Sequence, residues 1–210
     1  MSQPELNPQN PQNIADIRHR VDAVEAVAMD QGLVKPGHLQ QFTHKVEHEW
    51  TPAVGAAIVA HAWTNAAFRA RLMKNGIAAA AELGATMPAH HRHLVVLENT
   101  ESVHNLICCT LCSCTAYTVI GMPPDWYKNL EYRSRVVRES RTVLGEMGLA
   151  LPEGIEMRVW DTTADTRYMV LPYRPPHTAG WSEKQLAAIV TKEAMIGTAR
   201  LEPPFAAAGV

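Results

Sequence analysis

The chain is 210 residues long, with 47% hydrophobic residues, 19% charged residues and a formal net charge of −2. These values are typical of a globular protein with one core, with or without an appended arm, and they argue against nucleic acid or an anionic membrane surface as a partner. The sequence has no apolar run of transmembrane length and no basic-then-apolar leader, so we expect a cytoplasmic protein that does not bind membranes.

The first 50 residues predict a flexible N-terminus and a helical arm. Residues 1–13 are polar and contain three prolines, which favours a flexible segment. Two apolar series at helical spacing follow: Ile17, Val21, Val24 and Ala28, then Leu39, Phe42 and Val46. Gly32 is a plausible stop for the first helix, and the second helix should end before Pro52. We expect the apolar face of this arm to contact a partner subunit.

Residues 51–210 predict a single domain. The alanine-rich segment 52–84 has the composition of helix, with a natural break at Asn75-Gly76. The apolar runs Leu94–Leu97 and Val103–Cys108 predict two strands separated by a polar turn. The first half of the domain is therefore expected to be a helical layer followed by a pair of strands.

All four cysteines fall within seven residues, beginning with Cys108 at the end of the second strand. Crowded thiolates repel one another unless a proton, a disulfide or a metal ion neutralises them. Cys109 and Cys112 form a C-x-x-C pair, which is compatible with a redox disulfide or with half of a zinc site, although a second C-x-x-C is absent from the sequence. Cys114 adds a third sulfur, and the Ser113 and Cys114 amide nitrogens lie between the sulfurs. We call Cys109–Cys114 the claw; it offers five ligands to trivalent iron or cobalt and leaves a sixth position open for Lewis-acid catalysis.

The chain beyond the claw mixes helices and strands without a repeating βα unit, which predicts the α+β class. Residues 124–148 predict a basic helical region, and residues 155–160 and 167–171 predict two strands. Ser182 is a good N-cap for a helix that runs through Val190, and Met195–Ala199 predicts a last short strand. We expect the alanine-rich C-terminal stub to be disordered.

The claw sequence C-T-L-C-S-C is part of a longer pattern. Characteristic segments follow it: Gly121–Lys128, Tyr132–Glu139, Arg158–Thr163, Arg167–Pro172, Gly180–Glu183 and Met195–Gly197. Together with matches upstream of the claw, they make the chain resemble the alpha subunit of nitrile hydratase from about Ile14 onward. The resemblance implies a four-layer α/β/β/α core behind an N-terminal helical arm.

The resemblance also implies a ligand set. In that family the sulfurs matching Cys109, Cys112 and Cys114 and the amides matching Ser113 and Cys114 bind one metal ion per alpha subunit. Cys112 is then expected as a sulfinic acid and Cys114 as a sulfenic acid, while Cys109 stays a thiolate. Cys112, Ser113 and Cys114 become the expected catalytic residues.

Residues around the claw bear on the metal and the pocket. Thr110 matches the cobalt form and favours Co(III), whereas Thr115-Ala116 is iron-like, which keeps Fe(III) as the alternative. Further residues expected around the pocket are His90, Tyr117, Thr110, Asp161 and Arg167. His90 stands where the family commonly has glutamine. Tyr117-Thr118 replaces an aromatic-proline pair, which suggests a bulky or polar heteroaromatic nitrile as substrate.

The reaction that the resemblance implies is hydration of a small-molecule nitrile to its amide. The metal activates water or the nitrile, or else the Cys114 sulfenate oxygen attacks the nitrile carbon. A beta subunit, as one chain or split between two, is expected to supply arginines to the oxidised cysteines. An activator or metallochaperone is expected to load the ion. Thiocyanate hydrolase has the same claw but carries arginine at the position of Tyr117, which favours a neutral nitrile here. A non-catalytic metal-binding or delivery module is the remaining alternative.

Overall fold

The computed structural model describes residues 11–201, which divide into two compact units between Lys45 and Val46. Most of the segment predicted to be flexible, residues 1–10, and the C-terminal stub at 202–210 lie outside the described residues. The α-helices are α1 (Pro11–Asp30), α2 (His38–His44), α3 (Pro52–Thr64), α4 (Ala66–Lys74), α5 (Gly76–Glu82), α6 (Tyr117–Ile120), α7 (Asp125–Lys128), α8 (Leu130–Arg135), α9 (Ser140–Glu146), α10 (Glu183–Ile189) and α11 (Lys192–Ile196). The strands are β1 (His93–Glu98), β2 (Val103–Cys108), β3 (Glu156–Asp161) and β4 (Thr166–Leu171). Across residues 11–201, every helix is too short or too polar to span a bilayer.

The first unit contains the two helices that the apolar spacing predicts. α1 ends at Asp30, and Gly32 follows with a left-handed φ of 68°, which confirms the predicted stop. α2 is followed by a turn of π-helix at Lys45–Glu49. Apolar side chains such as Val21 and Leu39 line a groove of about 430 Å³ within this unit. That the arm contacts a partner subunit remains a prediction.

Asparagine caps divide the first helical layer of the second unit. The predicted break at Asn75-Gly76 is confirmed, because the Asn75 side chain accepts a hydrogen bond from the Ala78 N–H (3.1 Å) and starts α5. Asn65 makes the same contact with the Phe68 N–H (2.9 Å) and starts α4. The sequence analysis did not predict this second break, although Asn65 has the same capping chemistry.

The four strands form two parallel pairs, β1 with β4 and β2 with β3. The β1–β4 pair contacts α4 and α5 through β1, and both of its strands contact β2. α9 in turn contacts β3 of the β2–β3 pair. This order gives the α/β/β/α layers of the expected α+β core. Leu106 and Met169, both fully buried, lie on facing strands within it.

The predicted last strand at Met195–Ala199 is wrong, because these residues belong to α11 and the turn after it. The Thr191 hydroxyl caps this helix by accepting a hydrogen bond from the Ala194 N–H (3.1 Å), and Gly197 ends it with a φ of 96°. An apolar run this short is ambiguous between a strand and a buried helix, and the flanking threonine and glycine decide for the helix.

The basic region at 124–148 is also not one helix but three short ones, α7, α8 and α9. The Asn129 side chain accepts a hydrogen bond from the Glu131 N–H (2.7 Å) and starts α8. The chain also becomes helical directly after the claw, at α6, where the sequence analysis did not predict a helix. These short helices bring side chains from several directions to the end of β2.

Candidate metal centre

The three cysteine sulfurs of the claw converge on one point. The Sγ atoms of Cys109 and Cys112 are 3.4 Å apart, those of Cys112 and Cys114 are 2.7 Å apart, and all three lie within 4.8 Å of one another. Cys109 is buried, Cys112 is exposed and Cys114 is partly buried. The loop therefore presents one face of three sulfurs, with its open side at Cys112.

The position of the claw follows from the sheet. Cys108 ends β2 opposite Asp161, which ends β3, so the parallel strands bring the claw and the β3–β4 connection to the same edge. The Thr162 N–H donates to the Cys108 carbonyl (3.0 Å), and the Thr162 hydroxyl donates to the Cys114 carbonyl (3.4 Å). The Tyr127 hydroxyl also donates to the Cys114 carbonyl (3.2 Å). Both ends of the loop are thereby attached to the core.

The first half of the claw is held by two charged side chains. The Asp161 carboxylate accepts the backbone N–H of Thr110 (2.9 Å) and the Thr110 hydroxyl. Arg133 donates from Nε to the Cys109 carbonyl (2.8 Å) and from Nη2 to the Thr110 carbonyl (2.7 Å). Asp161 and Thr110, both expected around the pocket, are thus in direct contact, with Thr110 lying within the claw itself. Arg133 was missed, because its position in the basic region 124–148 does not indicate which distant carbonyl groups its side chain reaches.

Burial and hydrogen bonds give the cysteines different acidities. Burial opposes ionisation of Cys109, but the Thr162 hydroxyl and the backbone N–H groups of Cys112 and Cys114 outweigh it and lower the pKa of Cys109 to about 7. The neighbouring Cys114 thiol, and then burial, raise the pKa of Cys112 to about 12. Burial, followed by Asp161 and Cys109, raises the pKa of Cys108 to about 12, which fits a cysteine that serves only in packing.

These donors fit a small, strongly polarising cation. The three sulfurs lie within 4.8 Å of one another, close enough to bind one ion together, and the Cys112 N–H donates to the Cys109 sulfur (3.3 Å). An ion in this space would remove the mutual repulsion that keeps Cys112 protonated. Soft sulfur donors with adjacent amide nitrogens suit a transition metal better than calcium or magnesium.

Aromatic rings pack around Tyr117, which follows the claw by three residues. The Tyr117 ring lies between Trp50 (centroids 4.9 Å apart) and His91 (5.2 Å). His91 is 2% exposed, and neither ring nitrogen has a hydrogen-bond partner within the described residues. Burial, and then the charges of Arg167 and His90, lower the pKa of His91 to about 4, so the ring is neutral at neutral pH.

The structure distinguishes the two adjacent histidines. His90, the residue expected at the pocket, is exposed and touches His91 (centroids 4.3 Å apart). His91 is the buried ring beside Tyr117, and the sequence could not tell which of two neighbouring histidines faces inward. Arg167 is buried next to them, and its Nη1 donates to the carbonyls of Thr163 and Thr166 (3.1 Å to the latter).

Comparison with known proteins gives a consistent picture. The family model of the nitrile hydratase alpha chain matches residues 15–199. The chain is 45% identical over 190 residues to a nitrile hydratase subunit alpha from Rhodococcus sp, which covers 90% of this chain and 95% of the relative. It is 42% identical over 187 residues to the low-molecular weight cobalt-containing nitrile hydratase subunit alpha of Rhodococcus rhodochrous, covering 89% and 90% of the two chains.

Two further similarities bear on the metal and on the reaction. A solved structure of a double mutant of the Fe-type nitrile hydratase from Comamonas testosteroni Ni1 matches with a TM-score of 0.87 and 54% identity, covering 93% of this chain and 95% of that one. The thiocyanate hydrolase subunit gamma of Thiobacillus thioparus is 34% identical over 202 residues, covering 91% and 83%. Similar chains thus include cobalt and iron types of one enzyme and a subunit of a second enzyme.

Proposed function

This chain belongs to the nitrile hydratase alpha-chain family, and we propose that it hydrates nitriles to amides as the metal-binding alpha subunit. The observation that carries the proposal is the convergence of three cysteine sulfurs within 4.8 Å at the end of β2. A non-catalytic delivery module would need a metal that leaves easily, whereas the claw is attached to the core at both ends.

The residues that would hold the ion are Cys109, Cys112 and Cys114 through sulfur, and Ser113 and Cys114 through their amide nitrogens. When bound, a trivalent ion in this set supplies Lewis acidity for the addition of water to the nitrile carbon. Asp161 and Arg133 keep the loop in the shape that aims all these donors at one point. The catalytic group of the chain is then the Cys112–Cys114 side of the claw, which is its open side.

Oxidation of the two outer cysteines is part of the proposal. Cys112 would gain two oxygens as a sulfinic acid and Cys114 one oxygen as a sulfenic acid, both from an external oxidant, while Cys109 remains a thiolate. The exposures support this order, since Cys109 is buried and Cys112 is exposed. The new oxygens would accept hydrogen bonds from arginine side chains beside the open position. The oxygen on Cys114 would also be a nucleophile there.

We propose Co(III) as the ion, because Thr110 matches the cobalt form of the family, and we keep Fe(III) as the alternative. The 54% identity to an Fe-type chain supports that alternative. Thr110 acts in either case as an anchor for Asp161 through both its amide and its hydroxyl. Elemental analysis of the assembled protein separates the two metals directly.

A beta subunit, as one chain or as two, would complete the site and supply arginines to the oxidised cysteines. Leu111 in the middle of the claw is 83% exposed, and Leu130 nearby is 74% exposed, which supports a protein cover over this face. The helical arm at residues 1–50 would add a second contact with the beta subunit. An activator or metallochaperone is expected to deliver the ion, and the reduced, clustered cysteines suit a cytoplasmic protein.

Thiocyanate hydrolysis is the second candidate, supported by the similarity to the thiocyanate hydrolase gamma subunit. That reaction uses an anion, and a cation at the position of Tyr117 would favour anion binding. Tyr117 is neutral, and its burial raises its pKa further. We therefore favour a neutral nitrile, with Tyr117, His91 and Arg167 around the pocket.

The test is expression of the chain with its beta subunit, followed by metal analysis, peptide mass of the claw and assays with acrylonitrile and thiocyanate. We expect one tightly held cobalt or iron ion, two added oxygens on Cys112, one on Cys114 and hydration of the nitrile. Zinc in the claw, or a Cys109–Cys112 disulfide in the assembled protein, would reject the proposal. Turnover of thiocyanate alone would favour the second candidate.

A further inference from the structure

Tyr117 is the aromatic side chain nearest to the claw along the chain, three residues after Cys114 and at the first position of α6. Burial raises the pKa of Tyr117, Arg167 opposes this effect and Cys114 adds to it. Both a cation and a claw cysteine therefore act on the phenol. Under the proposed function, Tyr117 is one of the residues around the nitrile pocket next to the claw.

Two rings hold Tyr117 from different directions. The Trp50 ring is tilted by 56° at a centroid distance of 4.9 Å, and the His91 ring stands at 72° at 5.2 Å. Both distances lie in the range of favourable aromatic pairs. His91 is buried in the core. Trp50, the other partner, lies in the chain that leads into α3.

The same chain segment contacts α6 beyond Trp50. A Cβ on Gly121, just after α6, would lie 3.0 Å from Cδ of Pro52. A Cβ on Gly55 would lie 2.9 Å from the carbonyl oxygen of Val119, in the middle of α6. Glycine at both positions lets α3 approach the backbone of α6. The start of α3 thus determines where α6, and Tyr117 with it, can lie.

Open space adjoins Trp50. A cavity of about 210 Å³ is lined by Trp50, Val54 and Ala57, by the loop 83–86 and by Thr118. The Thr118 hydroxyl is buried and has no hydrogen-bond partner within the described residues. Because the indole borders this empty space, its removal would enlarge the cavity and leave Tyr117 room to move.

We propose that Trp50 is a positioning residue for substrate selection, which holds the Tyr117 ring as a fixed wall of the nitrile pocket. The proposal rests on the proposed nitrile hydration. The substrates concerned are nitriles whose carbon substituent is a planar aromatic or heteroaromatic ring, because such a ring gains from stacking on a fixed phenol. A small nitrile such as acrylonitrile reaches the claw without that wall.

The test compares 3-cyanopyridine with acrylonitrile in the metal-loaded, assembled enzyme. Trp50→Leu is expected to lower kcat/KM for 3-cyanopyridine about tenfold, mainly through KM, and to change the value for acrylonitrile by less than about threefold. Trp50→Phe keeps a ring against Tyr117 and should restore the selectivity. In a Tyr117→Leu background, Trp50→Leu should have no further effect on the ratio, since it acts through Tyr117.

Trp63→Phe is the matched control, because the Trp63 indole donates a hydrogen bond to the Pro172 carbonyl (2.9 Å) and belongs to a different contact from the Trp50–Tyr117 ring pair. This variant should leave the ratio of the kcat/KM values for the two nitriles unchanged. Metal content and denaturation midpoint are measured for each variant, and Trp50→Met replaces Trp50→Leu if the latter does not load metal. Equal losses for both nitriles, or additive effects of Trp50→Leu and Tyr117→Leu, would overturn the proposal. An unmutated enzyme that hydrates neither nitrile would instead reject the proposed function itself.

Discussion

At the scale of single residues, the claw depends on side chains that do not touch its sulfurs. Asp161 accepts two hydrogen bonds from Thr110, and Arg133 donates to two carbonyl oxygens of the same loop. Groups of this kind orient the ligands of a metal and typically change its affinity 10- to 100-fold, a range of about 1.4 to 3 kcal/mol. The claw is only six residues long, so a shift of one peptide group would move all of its sulfur and amide nitrogen atoms.

Replacement of Asp161 by alanine should therefore weaken the metal site. The Thr110 amide and hydroxyl lose their acceptor, and we expect metal affinity to fall about tenfold or more. Competition with a chelator measures the effect on protein loaded with metal. Asp165→Ala is the control, since Asp165 accepts from Thr163 and Thr166 in the same connection without contacting the claw. Equal losses in both variants would contradict the assignment.

His91 should make the chain sensitive to acid. Its pKa is lowered from 6.5 to about 4 in the folded protein, so the unfolded chain binds more protons between these two values. The free energy of unfolding is therefore retained above about pH 6.5 and falls as pH drops toward 4, by on the order of 1–3 kcal/mol. Urea unfolding across this range measures the slope.

The replacement His91→Gln should flatten that slope, because glutamine does not titrate. His90→Gln is the matched control, since His90 is the adjacent but exposed ring. The assignment fails if the two variants change the pH dependence equally.

At the scale of secondary-structure elements, short polar residues and glycines decide where each helix begins and ends. Asn65, Asn75 and Asn129 each start a helix by accepting a backbone N–H two or three residues later. Ser182 forms a full capping box with Gln185, which confirms the predicted start of α10. These signals are local, so they act before the core is assembled.

Gly197 combines a local signal with a close tertiary contact. It has a φ of 96°, and a Cβ placed there would collide with the Asn105 carbonyl oxygen of β2. Gly197→Ala should therefore destabilise the chain by about 3 kcal/mol or more, through backbone strain and a clash that neither backbone can relieve.

Gly145→Ala in α9 is the control for Gly197→Ala. It has helical neighbours and open space around its Cβ position, so it should stabilise by about 0.5–1 kcal/mol. Denaturant unfolding of the two variants gives the comparison, and a loss of similar size in both would contradict it.

At the scale of the whole molecule, the claw joins parts of the domain that are distant in sequence. β2 pairs with β3 across about fifty residues, and α8 sends the Tyr132 hydroxyl back to the Ile107 carbonyl (3.1 Å) at the end of β2. The contacts that hold the claw therefore require the β2–β3 pair and the short helices α7 and α8 to be in place. Binding of the ion should then be coupled to folding of the entire domain.

Metal loading should raise the denaturation midpoint of the assembled protein. An ion that binds only the folded form at a free concentration of a thousand times its Kd adds about 4 kcal/mol to the free energy of unfolding. Differential scanning calorimetry with and without the ion measures the gain. Cys109→Ser, which removes one of the proposed ligands, should abolish most of this gain. An unchanged gain in that variant would place the ion elsewhere.

The features that contiguous residues encode could be predicted without a structure. The claw spans six residues, so its three sulfurs are bound to be close, and the order of helices and strands followed mostly from apolar spacing and capping residues. The α+β class, predicted from the mixture of helices and strands, and the four layers, expected from the resemblance, are confirmed. The ligand roles of the cysteines and Ser113 stay predictions.

The distant side chains that contact the claw could not be predicted, because their positions depend on how the elements pack. Asp161 lies 51 residues beyond Thr110, and its reach depends on the parallel register of β2 with β3. The inward turn of His91 rather than His90, the bond from Arg133 to the claw and the contact of Trp50 with Tyr117 arise in the same way. Side-chain direction at such points is set by packing between elements, which no local pattern records.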